Sequence, residues 1–223
     1  MRRSLVCGLL LVHGVLLAYG AYVHSPGADE TGHLVAGLSH WQFGRFELYR
    51  VNPPLVRMVA AVPVLAAGAE TDWDGYHDAP GARPVFDLGR RFADINGPRS
   101  FWLFTIARWA CIPFSLLGGA VCYLWARDLY DVSSGLMALA LWCFSPNMIA
   151  HGQMMTPDMG ATSLGLLAAY LFWRWLRNPE WPLALAAGIS LGVALLTKFT
   201  LLILPGLFVT RMPTNDQSMP CAA

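Results

Sequence analysis

Long apolar runs separated by short polar connections dominate the chain, and several runs have the length of a bilayer. The first, residues 5–23, reaches the ~20 apolar residues that cross a hydrocarbon core and exceeds the ~7–15 of a signal-peptide core. Arg2-Arg3 ahead of it and the small residues Ala18, Gly20 and Ala21 near its end share the layout of a cleaved leader. The length and the runs that follow predict an uncleaved anchor instead. Further spans are predicted near 101–125, 136–150, 159–175, 183–197 and 199–210. Their boundaries are marked by breakers: Arg127-Asp128, Ser145-Pro146-Asn147, Asn178-Pro179-Glu180-Trp181-Pro182 and Thr197-Lys198. His13, inside the first span, is predicted to pack against a neighbouring helix.

Residues 24–100 form a long first loop. In its early part Leu34, Leu38 and Trp41 fall on one helical face and Glu30, His33, Gly37 and His40 on another, which predicts a helix lying in the membrane interface. The apolar stretch 55–67 is short for a span and begins after Pro54, so it predicts a second interfacial helix. Residues 70–99, rich in Asp, Gly, Pro and Arg, read as an exposed loop. The expected fold is an all-α membrane protein, a polytopic helical bundle whose long first loop carries interfacial helices.

Composition sharpens this. With 56% hydrophobic and only 13% charged residues, and nine Trp, the chain is too apolar for a soluble domain of this size. A net charge of +1 and the lack of any basic stripe interleaved with aromatics exclude nucleic acid as a partner. Cys7, Cys111, Cys122, Cys143 and Cys221 lie apart, with no metal-ligand spacing, and read as packing residues.

Arg2, Arg3, Arg127, Arg174, Arg177 and Arg211 sit in short connections, which the excess of Lys and Arg in short cytoplasmic loops places in the cytoplasm together with the N-terminus. The remaining connections then converge on the opposite, extracytoplasmic surface: Asp29-Glu30, Asn52-Pro53-Pro54, the segment from His151 to Asp158, and Thr197-Lys198. A carboxylate at that boundary is partly desolvated and suited to taking a proton from a hydroxyl. Asp29 and Asp158 also suit the N-caps of helices starting at Glu30 and Met159, and both readings stay open. Arg108, about two turns into its span, either snorkels, braces the first loop or binds phosphate, and His151 is either interfacial or part of the site. Lys198, in the middle of an apolar run, is costly enough to read as functional.

An acidic pair just after the first span, Asn-Pro-Pro-Leu some twenty residues on, an Arg in the second span, Ser-Pro-Asn, Ala-His-Gly and Thr-Pro-Asp in order, and then Leu-Thr-Lys resemble the dolichyl-phosphate-mannose-protein mannosyltransferase superfamily, which includes the bacterial aminoarabinose transferases of lipid A. The resemblance covers most of residues 5–205. It implies the multi-span GT-C fold, a bacterial inner-membrane location, and inverting transfer of a sugar from a polyprenyl-phosphate donor to an acceptor outside the cytoplasm, whether protein, lipid or glycan. It implies Asp29 as the catalytic base with Glu30 beside it, and Asn52, Arg108, His151, Asp158 and Lys198 as binding residues. Asp158 or Glu30 would hold a divalent metal if one is used as cofactor. Asn52 stands where the family usually carries His or Lys before Pro-Pro, so that charge is absent.

Two other classes are open. Glu30, His33 and His40 on one stripe suggest a metal-dependent membrane hydrolase or transporter, although the two histidines lie roughly 10.5 Å apart along a helix. A scaffold that kept the fold and lost the reaction is the third reading. Residues 199–210 amount to about 18 Å of helix against a ~30 Å core. The polar tail 211–223 that follows predicts a truncation or frameshift, and a chain that inserts in membranes without transferase activity.

The arginine distribution makes a topological prediction. A cysteine placed at His77 should react with an impermeant thiol reagent in intact cells, and protection there would reverse the orientation.

Overall fold

A computed structural model of the chain describes residues 2–77 and 82–211. Among them every regular element is helical: α1 (Arg2–Val23), α2 (Ala28–Phe43), α3 (Leu55–Ala66), α4 (Val85–Asn96), α5 (Arg99–Leu129), α6 (Val132–Phe144), α7 (Pro146–Gly152), α8 (Pro157–Arg177), α9 (Trp181–Leu195), a 3₁₀ turn (Phe199–Leu202) and α10 (Ile203–Arg211). The expected tail 211–223 lies outside the described residues from Met212 onward, as does Cys221. The chain is an all-α membrane protein. Helices α1 and α5 are long and apolar enough to cross a bilayer, and α6 with α7 makes a third such segment if the 59° bend between them is one broken span.

Helix α5 is the axis of the bundle, packed against α1, α3, α6 and α8. Small residues let the neighbours close in. A Cβ on Gly118 would fall 2.3 Å from the Trp142 ring and one on Gly135 2.8 Å from the Tyr123 carbonyl, which runs α6 antiparallel to α5. The bend after α6 leaves the Cys143 carbonyl without its helical partner. The imidazole of His13, buried in α1, fills that gap: Nδ1 donates to the Cys143 carbonyl at 2.9 Å while Nε2 meets the Ser115 hydroxyl at 2.9 Å. His13 therefore packs three helices together, as its place in an apolar run predicts.

Chain direction sorts the charges. Leu10 packs on Gly119, Leu17 on Gly152, and the Ala18 carbonyl accepts from Trp109 Nε1, so α1 runs antiparallel to α5. Trp125 meets Tyr170 and Trp173, and Phe172 stacks on Phe208 at 4.0 Å. Arg3, Arg127, Arg174, Arg177 and Arg211 thus gather at one end of the bundle, where Arg177 also lies over the Trp173 ring at 4.8 Å. Asp29, Asp158 and Lys198 lie at the other end.

Two expectations for the first loop fail. Helix α2 is not a surface helix with one wet face: Glu30 and every residue from Gly32 to His40 are buried, while Trp41, assigned to the apolar face, is half exposed. The reason is glycine on the supposedly polar side. Gly37 brings α2 so close to α3 that a Cβ would stand 2.2 Å from the Arg57 carbonyl, and Gly89 of α4 sits 2.9 Å from the Thr31 backbone by the same measure. The second failure is residues 70–99, expected as an exposed loop. They contain α4, whose Val85, Leu88 and Phe92 fill the far side of α2 and reach Phe104 of α5. The described residues between 24 and 100 form a packed cap of three helices, and the left-handed Gly44 (φ 64°) turns the chain out of α2.

The glycine contacts make a stability prediction. Gly37→Ala should cost about 1–3 kcal/mol through overpacking, lowering the melting temperature in detergent by several degrees. Gly8→Ala, with open space around it, should leave the melt unchanged or raise it. Equal melts for the two variants would mean that α2 and α3 do not meet as closely as described.

Candidate active site

The acidic end is assembled on one ion pair. Glu30 of α2 is 0% exposed and Arg108 of α5 3%, and they form a two-pronged pair: Nε to Oε1 at 2.9 Å and a terminal nitrogen to Oε2 at 2.6 Å. Arg108 spends its remaining N–H groups on the carbonyls of Ala21 (3.0 Å), His24 (2.7 Å) and Ser25 (3.0 Å), which closes the end of α1. Glu30 accepts two more bonds, from Gly27 N at 2.8 Å, which caps the start of α2, and from Met155 N at 3.2 Å, in the connection ahead of α8. Every donor of the guanidinium and every lone pair of the carboxylate is occupied. Arg108 therefore braces the first loop, one of the roles its sequence left open, and all of its N–H groups are engaged in this arrangement. Glu30, proposed as catalytic, is equally committed and has no lone pair left for a substrate proton.

Asp29 is placed differently. Helix α2 starts at Ala28 with Gly27 as its N-cap, so Asp29 is the second helical residue and not the cap, because Glu30 reaches back to do that work. Its carboxylate is exposed and makes no hydrogen bond or ion pair among the described residues. Asp158 is likewise the second residue of α8, after N-cap Thr156 and Pro157, which corrects its assignment as a cap. Both acids gain from the positive end of a helix dipole. Asp158 pairs with Lys198 at 2.6 Å, and His151, exposed at the end of α7, is near enough to act on its charge.

Lys198 stands in a break. Helix α9 stops at Leu195 and the chain is extended at Lys198 before the 3₁₀ turn. The Leu196 carbonyl freed by the break accepts from Leu55 N at 3.0 Å, so the Asn52-Pro53-Pro54 turn is tied directly to the strand of chain that carries Lys198. Val56, one residue further, packs where Gly160 has no side chain. All four polar clusters expected on one surface do meet.

Two residues of the cluster were missed. Arg57, 2% exposed in α3, donates to the carbonyls of Tyr49 at 2.7 Å, of Pro53 at 3.1 Å, and of Asn52, while its guanidinium lies 4.3 Å from the Tyr49 ring. Burial draws it down to about 10, still charged at neutral pH. It could have been found: it is a lone cation in an apolar helix, the same signal that singled out Arg108. The other is Tyr49, whose ring also rests on His33 at 4.6 Å. His33 is pushed down to about 4, first by burial and then by Arg57, against the pull of Asp29, Glu30 and Asp158. Those five groups share one electrostatic neighbourhood. Asn52 contributes its backbone carbonyl.

The metal readings find no support in the geometry. No three His, Cys, Asp or Glu side chains among the described residues come close enough together to hold an ion. Glu30 and Asp158 are each engaged by a cation, and the stripe expected from Glu30, His33 and His40 is split. His33 faces Tyr49, whereas His40 bonds to the Arg45 carbonyl at 2.8 Å and rests on Phe46.

A test of the brace follows. Arg108→Met should destabilise the protein by about 3–5 kcal/mol, since it leaves a buried carboxylate unpaired, and adding Glu30→Met should recover part of the loss. Denaturation in detergent measures both. A double variant as unstable as the sum of the two single ones would show that the groups are not coupled.

No curated protein and no solved structure matches the chain. Residues 100–212 match the family described as dolichyl-phosphate-mannose-protein mannosyltransferase, a stretch that takes in Arg108, His151, Asp158 and Lys198 and makes up half of the sequence. The helical membrane bundle and this match together establish that the chain belongs to the dolichyl-phosphate-mannose-protein mannosyltransferase family, a family of membrane glycosyltransferases.

Proposed function

We propose that the protein transfers a sugar from a polyprenyl-phosphate donor to a hydroxyl-bearing acceptor on the extracytoplasmic side of the membrane, within a GT-C-type bundle, with inversion at the anomeric carbon. The observation that carries the reading is the state of the three site carboxylates: Glu30 is saturated by Arg108, Asp158 is paired with Lys198, and Asp29 alone is exposed and uncommitted. A general base must reach the proton it removes and must not be held by a cation. The exposure of Asp29 and its freedom from any cation among the described residues support that role.

In this mechanism the acceptor hydroxyl gives its proton to Asp29 as its oxygen attacks the anomeric carbon from the face opposite the phosphate. The bond to the phosphate oxygen breaks and negative charge grows on the leaving group. Lys198, held at the edge of the site by Asp158 and partly exposed, stabilises that charge as a fixed cation. The arginine-rich end of the bundle then faces the cytoplasm, as the charge bias of short loops supports.

Asp29→Asn should lower turnover by roughly 10²- to 10⁴-fold with little change in donor binding. The acceptor can be found by mass spectrometry of lipids and glycans from membranes lacking the gene and from membranes complemented with wild type or Asp29→Asn. A glycan restored by wild type and absent with Asp29→Asn is the expected result. Full restoration by Asp29→Asn would remove Asp29 as the base.

A further inference from the structure

The arginine-rich end of the bundle, opposite Asp29, carries charges that the transferase reading does not use. Arg127 is settled there: its Nε and a terminal nitrogen donate to Asp128 Oδ1 at 2.9 and 2.7 Å, while the Tyr170 hydroxyl donates to Asp128 Oδ2 at 2.7 Å. Asp128 is thereby filled. Arg174 and Arg177, in the last turn of α8, are held differently. Both are exposed, and among the described residues their guanidinium groups donate no hydrogen bond and join no ion pair.

What holds them is aromatic. Arg174 lies 5.8 Å from the Tyr170 ring and Arg177 4.8 Å from the Trp173 ring, within the range of cation–π attraction. Those two rings stack on each other at 6.2 Å with 23° between their planes, and Trp125 of α5 backs both, at 5.9 and 6.1 Å. Two guanidinium forks one helical turn apart are thus kept side by side on a common aromatic base, with their N–H donors unspent.

Counter-charge is short at this end. The acids near it are Asp128, Asp131, whose carboxylate caps α6 through Ser134 N at 2.7 Å, and Glu180, which accepts from Asn178 at 2.6 Å. Even with each acid set against one of Arg3, Arg127, Arg174, Arg177 and Arg211, arginines remain in excess among the described residues. Tyr130 and Trp181, 79% and 78% exposed beside apolar helices, mark the same level as a membrane boundary. The anion concentrated at such a boundary is the phosphate of a phospholipid, and guanidinium forks match its oxygens.

We propose that Arg174 and Arg177, braced on Tyr170 and Trp173, form a binding site for the phosphate of an anionic phospholipid in the adjoining leaflet. The forks engage the phosphate oxygens, the rings hold the forks in place, and the lipid supplies the missing counter-charge. The site goes beyond the transferase reading and does not depend on it.

Native mass spectrometry of the full chain released from nanodiscs of equal parts phosphatidylglycerol and phosphatidylcholine reads which lipid stays bound. Wild type should retain phosphatidylglycerol in preference. Arg174→Gln combined with Arg177→Gln should lower that preference roughly 10- to 30-fold, the factor expected of two interfacial cations, and Arg177→Gln alone about 5-fold. Arg3→Gln combined with Arg211→Gln removes the same charge from the same end and should leave the preference nearly unchanged. Melting curves establish that each variant folds, and if the first double variant does not, Arg177→Gln alone decides. Equal loss in the two double variants would mean that the end attracts anionic lipid only through its summed charge, which overturns the site. Wild type without a preference, or a folded Arg174→Gln, Arg177→Gln variant as selective as wild type, also overturns it. Displacement of the lipid by inorganic phosphate would make the anion a soluble one and overturn the lipid assignment.

Discussion

The two-pronged pair between Glu30 and Arg108 is the interaction on which the acidic end of the molecule depends. A buried ion pair gives back its desolvation cost only when its remaining donors and acceptors are satisfied. Here they are, and the groups that satisfy them are the chain ends that need fixing: the last carbonyls of α1, the first amide of α2 and the amide of Met155. Unpaired backbone groups at helix ends would otherwise be stranded in an apolar bundle. One pair of side chains thereby joins α1, α2, α5 and the approach to α8.

With that frame set, the neighbouring groups have restricted roles. Glu30 and Asp29 are adjacent in sequence, yet helical geometry turns one into the interior and leaves the other facing out, so two acids side by side do different work. Asp158 and Lys198 come from segments forty residues apart and meet because α8 and α9 pack together and α9 breaks in time to present the lysine. The break also frees the Leu196 carbonyl that anchors the Asn52-Pro53-Pro54 turn. Interruptions of regular helix, at Ser145 and at Thr197, create the unpaired carbonyls that distant segments use to dock.

The bundle is polar at both ends for different reasons. At one end arginines lie over Tyr and Trp rings, an arrangement suited to the boundary between hydrocarbon and lipid headgroups. At the other, Glu30 and Arg108 are withdrawn from water and paired with each other at the three-helix cap formed by α2, α3 and α4. Glycine makes that cap possible, since Gly37 and Gly89 allow backbone to approach backbone where any side chain would hold the helices apart.

Much of this was legible from residues alone. Spanning lengths, the breakers between them, the bias of arginines and the order of the polar clusters predicted an all-α membrane protein with its polar motifs gathered at one end, because hydrophobic length and charge distribution are constraints set by the bilayer itself. The cost of a cation in an apolar helix singled out Arg108 and Lys198 for the same reason. What periodicity could not supply was what each face would meet. The face of α2 bearing Glu30, His33, Gly37 and His40 looked wet but is covered, as helix α4 hidden in a Gly- and Pro-rich stretch packs from one side and α3 from the other. That Arg108 pairs with a buried carboxylate, which of two adjacent acids stays free, and that Arg57 packs into the same cluster were decided only by tertiary contacts, since a charge in an apolar run advertises that it needs a partner without saying which one it finds.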